Sequence, residues 1–145
     1  MELLKISDRL RSAAGLVYKG ARVADIGTDH GYLPIYLVQN GISECVYACD
    51  VRKKPLDRSQ AHIGSYGLDD NITIRLADGL CGIQKDDVDT VTICGMGGKL
   101  MKDIIEAGKD RLSNGMQLIL SPQSEVREFR AYLLENGIDI LSEMM

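Results

Sequence analysis

The stretch Arg22-Val-Ala-Asp-Ile-Gly-Thr-Asp-His-Gly31 runs from an apolar segment into a glycine-containing turn. Its first half, Arg22–Ile26, has the composition of a short buried strand. Gly27 follows this strand, where a glycine permits a tight turn and a close approach of the backbone to a ligand. A short helix is predicted next over Tyr32–Gln39, since Pro34 is tolerated in a first helical turn. A strand, a turn and a helix in this order open an α/β unit.

The alternation of strands and helices continues along the chain. Strands are predicted over Arg22–Ile26, Glu44–Cys49, Ile72–Leu76, Val88–Ile93 and Gln117–Leu120, with a sixth beginning over Ile138–Leu141. Helices are predicted over Ser7–Val17, Tyr32–Gln39, Pro55–Tyr66, Leu100–Ala107 and Ser124–Glu135, with Ser7 and Ser124 as N-caps. Such alternation implies parallel strands with helices on both faces. The predicted fold class is α/β, Rossmann-like, with ligands beyond the carboxyl ends of the strands.

The composition is that of a single globular domain. The chain has 145 residues, enough for one core, and 45% of them are apolar, which allows it to fold as a globule. The net charge of -4 argues against a protein that binds nucleic acid over its whole surface, but it allows a local basic patch. No apolar run reaches the roughly 20 residues of a membrane span, and Met1–Lys5 carries no signal peptide. A cytoplasmic protein without a membrane segment is therefore expected.

No metal site is expected from the cysteines and histidines. The four cysteines form no Cys-x-x-Cys pair, and the two histidines lie far from them in the sequence. Cys45 and Cys49 fall in a strand-like run, which predicts small, reduced core residues. Nothing in the sequence indicates an oligomeric state.

Two aspartates flank the turn after the first strand. Asp29 stands where a dinucleotide-binding fold would place its second glycine, so Asp25–Gly31 is not a Gly-x-Gly-x-x-Gly motif. Beside a pyrophosphate, the charges of Asp25 and Asp29 would repel, whereas beside a sulfonium and an α-ammonium group they would attract. The sign of these charges favours S-adenosylmethionine over NAD as the cofactor. An ordinary tight turn is the alternative interpretation of the same residues.

Acidic residues also follow the second and third strands. Asp50 stands about 20 residues beyond the glycine turn, where a carboxylate can accept hydrogen bonds from ribose hydroxyls. An aspartate that caps a helix is the alternative. Asp78-Gly79 follows the third strand, where the carboxylate can accept from the exocyclic amine of adenine, and a simple Asp-Gly turn is the alternative. Val51, next to Asp50, is assigned to the same cofactor site.

The loops after the fourth and fifth strands are predicted to face the substrate. Cys94-Gly-Met-Gly-Gly98 holds three glycines in four residues, which leaves bare backbone as a floor under the transferred methyl group and the target base. Ser121-Pro122-Gln123 places polar side chains where they could face that base. The alternative for the first segment is a flexible loop. The alternative for the second is a proline that simply follows the end of a strand.

Four motifs resemble one known family. They are Ile-Ser-Asp-Arg-Leu at 6–10, Asp-Ile-Gly-Thr-Asp-His-Gly-Tyr-Leu-Pro at 25–34, Ala-Asp-Gly-Leu at 77–80 and Cys-Gly-Met-Gly-Gly at 94–98. Together they resemble the bacterial tRNA (adenine(22)-N1)-methyltransferases over essentially the whole chain. The resemblance implies a class I methyltransferase sandwich that transfers a methyl group from S-adenosylmethionine to N1 of adenine 22 in tRNA.

The resemblance also implies a role for each motif. Asp29, Gly95 and Met96 would lie at the site of methyl transfer. Arg9 would lie close to the cofactor or the tRNA. Apart from the resemblance, contacts with tRNA are predicted for Arg11, which lies with Arg9 in a cluster of basic residues near the N-terminus, and for Ser121 and Gln123 after the fifth strand. The cofactor would be held by Asp25, Gly27, Asp29, His30 and Gly31 around the methionine moiety, by Asp50 and Val51 at the ribose, by Asp78 and Gly79 at the adenine, and by Gly95 near the transferred methyl group.

Family members continue beyond the point that corresponds to Met145. They complete the sheet with an antiparallel hairpin and add a C-terminal helical domain that helps to hold tRNA. Residues 1–145 are therefore expected to form the S-adenosylmethionine-binding domain, truncated before the final hairpin. Ile138–Met145 would then be an exposed, hydrophobic sheet edge that favours dimerisation or poor solubility. Many members carry Gln-Pro-Asn in place of Ser121-Pro122-Gln123, which puts the family's base contacts in question here.

The implied reaction requires little acid–base chemistry. N1 of neutral adenine already has a lone pair, so catalysis can rest mostly on positioning. His30 is therefore expected to be structural or to contact the cofactor, and His62 to lie at the surface or in packing. Three other interpretations stay open: a class I methyltransferase with a different substrate, a non-catalytic cofactor- or RNA-binding module, and an NAD or nucleotide-sugar enzyme.

Overall fold

The computed structural model describes residues 2–144 of the chain. Within these residues the strands are β1 (Arg22–Ile26), β2 (Cys45–Asp50), β3 (Ile72–Leu76), β4 (Thr90–Cys94) and β5 (Gln117–Ser121). The α-helices are α1 (Asp8–Gly15), α2 (Tyr32–Gln39), α3 (Lys53–Ser65), α4 (Gly98–Ala107) and α5 (Val126–Glu135). Neighbouring strands all pair in parallel, in the order β3-β2-β1-β4-β5. The predicted α/β class with a parallel sheet is confirmed.

Helices cover both faces of the sheet. On one face, α1, α2 and α3 bury a core that includes Leu37, Ile63 and the β1 residue Val23. On the other face, α4 and α5 cover a second core that includes Met101 and Phe129. Each fully buried side chain of this size contributes roughly 1.5–3 kcal/mol of transfer free energy. The two helical layers therefore stabilise the sheet between them.

The strand order places β1 at the centre of the sheet, between β2 and β4. The chain proceeds from β1 to β2 and β3 on one side and then crosses to β4 and β5 on the other. This reversal creates a crevice outside the carboxyl ends of β1 and β4, where α/β proteins bind ligands. The backbone N–H groups of Gly27 and Thr28 donate to the carbonyl oxygen of Cys49 at 2.9 and 3.0 Å, so the end of β1 is tied to the end of β2.

The predicted sixth strand over Ile138–Leu141 is wrong. Residues 138–144 form neither strand nor helix. The backbone N–H of Ile138 donates to the carbonyl oxygen of Leu133 at 3.0 Å, which folds the chain back on the end of α5. Ile138 and Ile140 then pack against the second core instead of pairing with β5. Ile138 and Ile140 are thereby partly buried, whereas Leu141 is 86% exposed.

An ion pair holds the same segment along α5. Arg130 Nε lies 2.7 Å from Glu143 Oε1. The hydrophobic sheet edge predicted over Ile138–Met145 is therefore not formed by residues 138–144, and Met145 lies outside the described residues. The predicted dimerisation or poor solubility stays a prediction, since Leu141 and Met144 remain exposed.

Of the two serines predicted to cap helices, Ser7 does so and Ser124 does not. Ser7 Oγ accepts a hydrogen bond from the backbone N–H of Leu10 at 3.2 Å and caps α1, as predicted. Ser124 does not cap α5, because Glu125 intervenes with φ 54° and no described side chain caps this helix. The carbonyl oxygen of Ser124 instead accepts from the backbone N–H of Gly98 at 2.8 Å, a contact between the loops after β4 and β5.

The described residues run from Glu2 to Met144. In this span no helix is long and apolar enough to cross a membrane. The same residues bring together no group of three or more His, Cys, Asp or Glu side chains that could hold a metal ion. The cysteines are free, with Cys49 buried and Cys45 half-buried in β2.

Candidate functional site

A cavity of about 180 Å³ lies beyond the carboxyl ends of β1 and β4. The sequence-predicted residues that line it are Arg9, Asp25, Gly27, Asp29, Gly95 and Gln123. The other lining residues, which the sequence does not single out, are Ser7, Leu10, Thr28, Leu33 and Cys94. All five of these residues lie inside the quoted motifs at 6–10, 25–34 and 94–98, so the motifs themselves were a signal for them.

Asp25 is a buried carboxyl group in the cavity wall, only 3% exposed. Burial raises the pKa of Asp25 to about 6; a hydrogen bond from Thr92 opposes this rise, and the charges of Asp29 and Asp50 add to it. The Thr92 hydroxyl donates to Asp25 Oδ1 at 2.6 Å. Thr28 Oγ1 lies near enough to Asp25 to favour the ionised form of that carboxyl group. The same oxygen is buried, and no described residue makes a hydrogen bond of good geometry with it.

Cys94 closes the cavity at the end of β4. Burial raises the pKa of the Cys94 thiol to about 12, and the neighbouring charge of Asp25 raises it further. A thiol in this state stays protonated at neutral pH and is a poor nucleophile. Cys94 therefore serves as a neutral wall of the cavity.

The loop Asp29–Gly31 carries an accessible charge at the cavity. The Asp29 side chain is 81% exposed, and His30 Nε2 lies 3.5 Å from its Oδ1. Gly31 is buried under α3, where a Cβ on this residue would approach Ile63 Cγ1 to 3.2 Å. Of the three residues in the loop, only Asp29 lines the cavity. His30 and Gly31, both predicted to bind the cofactor, do not line the cavity.

His62 of α3 contacts this loop, which the sequence pattern does not indicate. Its Nδ1 lies 2.7 Å from the carbonyl oxygen of His30. The Tyr32 ring contacts both histidine rings, with centroid separations of 5.3 Å to His30 and 5.4 Å to His62. The prediction of a surface or packing role for His62 misses this hydrogen bond, because His30 and His62 are far apart in sequence.

The loops after β4 and β5 are joined through their backbones. The three donor–acceptor pairs are Gly95 N and Ser121 O at 3.2 Å, Gln123 N and Met96 O at 2.8 Å, and Gly98 N and Ser124 O at 2.8 Å. None of these contacts requires a particular side chain. The approach is close, since a Cβ on Gly98 would lie 2.7 Å from the carbonyl oxygen of Glu125.

Met96 reaches across to the loop after β1. Its Cε lies directly against Gly27, in the space that a Cβ on Gly27 would occupy. Gly27 also has φ 73°, a backbone conformation that favours glycine at this position. Gln123 Nε2 lies 3.7 Å from the position of a Cβ on Gly95. The structure therefore brings Gly95, Met96 and Gln123, predicted for the transfer site and the substrate, next to Gly27.

Asp50 and Val51 lie at the carboxyl end of β2 and do not line the cavity. Asp50 is buried, and its Oδ1 accepts from the backbone N–H of Arg52 at 3.0 Å. This contact closes the turn after β2, but Asp50 is not the helix cap of the alternative interpretation, since the N-cap of α3 is Arg52. No hydrogen bond from the described residues occupies Asp50 Oδ2. Val51 is 58% exposed, so an apolar surface lies open beside this carboxylate.

Asp78 and Gly79 follow β3 and also lie outside the cavity lining. The backbone N–H of Ala77 donates to the carbonyl oxygen of Asp50 at 2.9 Å, which joins the ends of β2 and β3. Asp78 is exposed, and Gly79 packs on Ile104, whose Cγ2 would lie 3.2 Å from a Cβ on this glycine. The acidic residues after β2 and β3 thus share the sheet edge with the cavity without lining it.

The structure separates the two arginines assigned to tRNA. Arg9 Nε donates to Ser121 Oγ at 3.1 Å and its Nη2 donates to the carbonyl oxygen of Pro122 at 3.4 Å, which joins α1 to the end of β5 at the cavity. Arg11 pairs with Asp8 at the exposed surface of α1. Of the two arginines, Arg9 lies at the cavity, and its contact with Ser121 joins it to the loop that also carries Gln123.

Comparison with known proteins yields a family match. A family described as "Methyltransferase domain" matches residues 6–145. The tRNA (adenine(22)-N(1))-methyltransferase of Bacillus subtilis (strain 168) is 37% identical over 145 residues, which are 100% of this chain and 61% of that protein. The chain spans about three fifths of the length of the curated relatives that it matches.

Solved structures share the architecture. The B. subtilis M1A22 tRNA methyltransferase has a TM-score of 0.90 and 39% identity, covering 98% of this chain and 62% of that chain. A Streptococcus pneumoniae protein, solved in complex with S-adenosyl-L-methionine, has a TM-score of 0.93 and 38% identity, covering 97% of this chain and 66% of that chain. These likenesses confirm the predicted Rossmann-like fold and the resemblance found in the sequence motifs.

Proposed function

Because the chain belongs to the methyltransferase domain family, we propose that it transfers a methyl group from S-adenosylmethionine to N1 of adenine 22 in tRNA. The description of the B. subtilis relative supports the reaction, and the S. pneumoniae complex supports the cofactor. Residues 1–145 would supply the cofactor-binding methyltransferase domain of this enzyme. A tRNA substrate would also require a cytoplasmic location.

The observation that carries the proposal is the charge pattern of the cavity between β1 and β4. Asp25 and Asp29 place two carboxyl groups there, which suits an α-ammonium and a sulfonium group. Thr28 Oγ1 is buried without a good partner among the described residues, so a polar ligand in the cavity would satisfy it. Arg9 in the same wall offers a guanidinium to a carboxylate. The donor set fits the methionine half of S-adenosylmethionine.

The adenosine half would extend along the carboxyl ends of β2 and β3. Asp50 Oδ2 is a candidate acceptor for a ribose hydroxyl, since the backbone N–H of Arg52 engages Oδ1. Val51 offers an exposed apolar surface to the adenine ring. Asp78 and Gly79 would meet the exocyclic amine at the end of β3.

The chain's contribution to the reaction is positioning and charge. When bound, S-adenosylmethionine supplies an electrophilic methyl group. N1 of neutral adenine carries a lone pair, so no residue has to remove a proton before transfer. Gly95 leaves bare backbone beside the cavity, where the base can approach, and the Gln123 amide next to it can hydrogen-bond that base. Asp29 can stabilise the positive charge of N1-methylated adenine.

Mass spectrometry of nucleosides from tRNA incubated with the protein and S-adenosylmethionine tests the reaction. We expect 1-methyladenosine, mapped to position 22 by fragment analysis. Asp29→Ala should weaken binding of S-adenosylmethionine by roughly tenfold, about 1.4 kcal/mol, because one attractive charge is lost. Asp110→Ala removes an exposed carboxylate from the short turn after α4 and is the matched control, expected to bind like the wild type.

The two halves of the proposal fail separately in this experiment. Binding of S-adenosylmethionine without any methylated adenosine would overturn the reaction and support a non-catalytic module. Absence of binding by the wild type would overturn the cofactor. Equal binding by Asp29→Ala and the wild type would show that the charge of this loop does not attract the cofactor.

A further inference from the structure

Three consecutive residues of the loop after β1 have left-handed backbone conformations. Their φ angles are 37° at Asp29, 58° at His30 and 71° at Gly31. Glycine adopts this region freely, but for Asp and His it is unfavourable and persists only where the surrounding structure holds it. The Asp29 carboxylate at the cavity is thus carried by a segment that needs support from elsewhere.

Helix α3 supplies this support. The Ile63 side chain packs against the bare Cα of Gly31, where a Cβ would be only 3.2 Å away. His62, the residue before it, places Nδ1 at 2.7 Å from the carbonyl oxygen of His30. A carbonyl oxygen can only accept, so His62 Nδ1 is the donor. This hydrogen bond fixes the peptide group between His30 and Gly31.

Two tyrosine rings fix the orientation of the His62 ring. Tyr32 meets it edge-on at a centroid distance of 5.4 Å, and Tyr66 does so at 5.3 Å. Tyr32 also stacks on His30 at 5.3 Å, within the loop that His62 contacts. Edge-to-face contacts of this kind restrict ring rotation and keep Nδ1 directed at the loop.

We infer that His62 is a positioning residue for cofactor binding: its Nδ1–H holds the His30 carbonyl and thereby keeps Asp29 directed at the cavity. His62 does not line the cavity, so it acts through the loop. The inference rests on the proposed function, because S-adenosylmethionine is the ligand whose affinity reports on the loop. Loosening the loop lowers the fraction of protein competent to bind, which weakens apparent affinity and leaves turnover at saturating cofactor unchanged.

A pair of variants separates the hydrogen bond from the packing of the ring. His62→Phe keeps an aromatic ring between Tyr32 and Tyr66 but has no donor. His62→Asn loses the ring but keeps an N–H donor at nearly the same distance from the backbone. We expect His62→Phe to raise the dissociation constant for S-adenosylmethionine roughly tenfold, and His62→Asn to stay within roughly threefold of the wild type. Calorimetry on the full chain measures both.

Measurements of turnover complete the test. With saturating S-adenosylmethionine, His62→Phe should keep its kcat within roughly twofold of the wild type while its KM for the cofactor rises. The inference is overturned if His62→Phe binds as tightly as the wild type, or if His62→Asn is the weaker binder, since packing would then be what matters. A wild type that does not bind S-adenosylmethionine would instead refute the proposed function.

Discussion

The loop after β1 and the paired loops after β4 and β5 border the same cavity but are held by different contacts. Asp29–Gly31 has a left-handed backbone and is held from α3 by the side chains of His62 and Ile63. The loops after β4 and β5, Gly95–Gly98 and Ser121–Ser124, are held mainly by hydrogen bonds between their own backbones.

This difference predicts how each region responds to substitution. A loop held by particular side chains is sensitive to changes in chemistry, such as the loss of a charge or a donor. A loop held by its backbone tolerates changes in side-chain chemistry but not added bulk where the two chains approach closely. On the cofactor side of the cavity, charge should therefore decide function, whereas on the substrate side shape should decide it.

The largest expected effect is on the cofactor side and involves Asp25. Asp25→Asn keeps the shape of the side chain and removes its charge. Because the pKa of Asp25 rises from 3.8 to about 6 on folding, the folded state holds this proton more strongly than the unfolded chain. Stability is therefore lost as pH rises through this range, by about 3 kcal/mol in total.

Urea unfolding at pH 4 and pH 7 measures this contribution. Relative to Asp25→Asn, the cofactor-free wild type should lose about 2 kcal/mol of unfolding free energy between these pH values, because the unfolded carboxyl group is already more than half ionised at pH 4. At pH 7 the variant should be the more stable protein and the weaker binder of S-adenosylmethionine. The same pH dependence in both proteins would show that Asp25 is not the group that titrates.

On the substrate side, Gly98→Ala should have the next largest effect. The added Cβ would lie 2.7 Å from the carbonyl oxygen of Glu125 and 2.8 Å from that of Ser124, and neither backbone can move freely. We expect a loss of about 1–3 kcal/mol of unfolding free energy. Gly15→Ala is the matched control, since a Cβ at the end of α1 meets nothing within 4 Å. Equal melting temperatures for the two variants would contradict a close approach of these loops.

The sequence predicts the framework of this site well, for identifiable reasons. Arg22–Ile26 and Tyr32–Gln39 agree with β1 and α2 to the residue, because an apolar run, Gly27 and Pro34 define their ends. Once the strands are parallel, residues that follow them must meet at one edge. This is why the sequence alone places Asp25, Asp29 and Gly95 at the same edge of the sheet.

The failures have a different physical origin. Ile138–Leu141 has a strand-like composition, but a strand needs a partner, and Ile138 and Ile140 instead pack, partly buried, against the second core. The contact between His62 and His30 depends on how α3 is rotated about its axis, which local sequence does not define. The same holds for α1, where Arg9 and Arg11 look equivalent in the sequence and lie in different surroundings.

These two arginines provide the smallest predicted effect and the closest comparison. Arg9 joins α1 to the loop after β5 at the cavity, whereas Arg11 forms an exposed ion pair with Asp8. Exposed ion pairs contribute about 0–1 kcal/mol, so Arg11→Ala should leave tRNA affinity and its salt dependence within roughly twofold of the wild type. Arg9→Ala should weaken tRNA binding about fivefold, near 1 kcal/mol, and reduce the slope of log affinity against log salt by about 1 if Arg9 contacts a phosphate.

Filter binding of tRNA at several salt concentrations measures both quantities, and equal behaviour of the two variants would remove Arg9 from the interface. A loss of cofactor affinity in Arg9→Ala without any change in salt slope would assign Arg9 to the carboxylate of S-adenosylmethionine, and so to the side of the cavity where charge decides function.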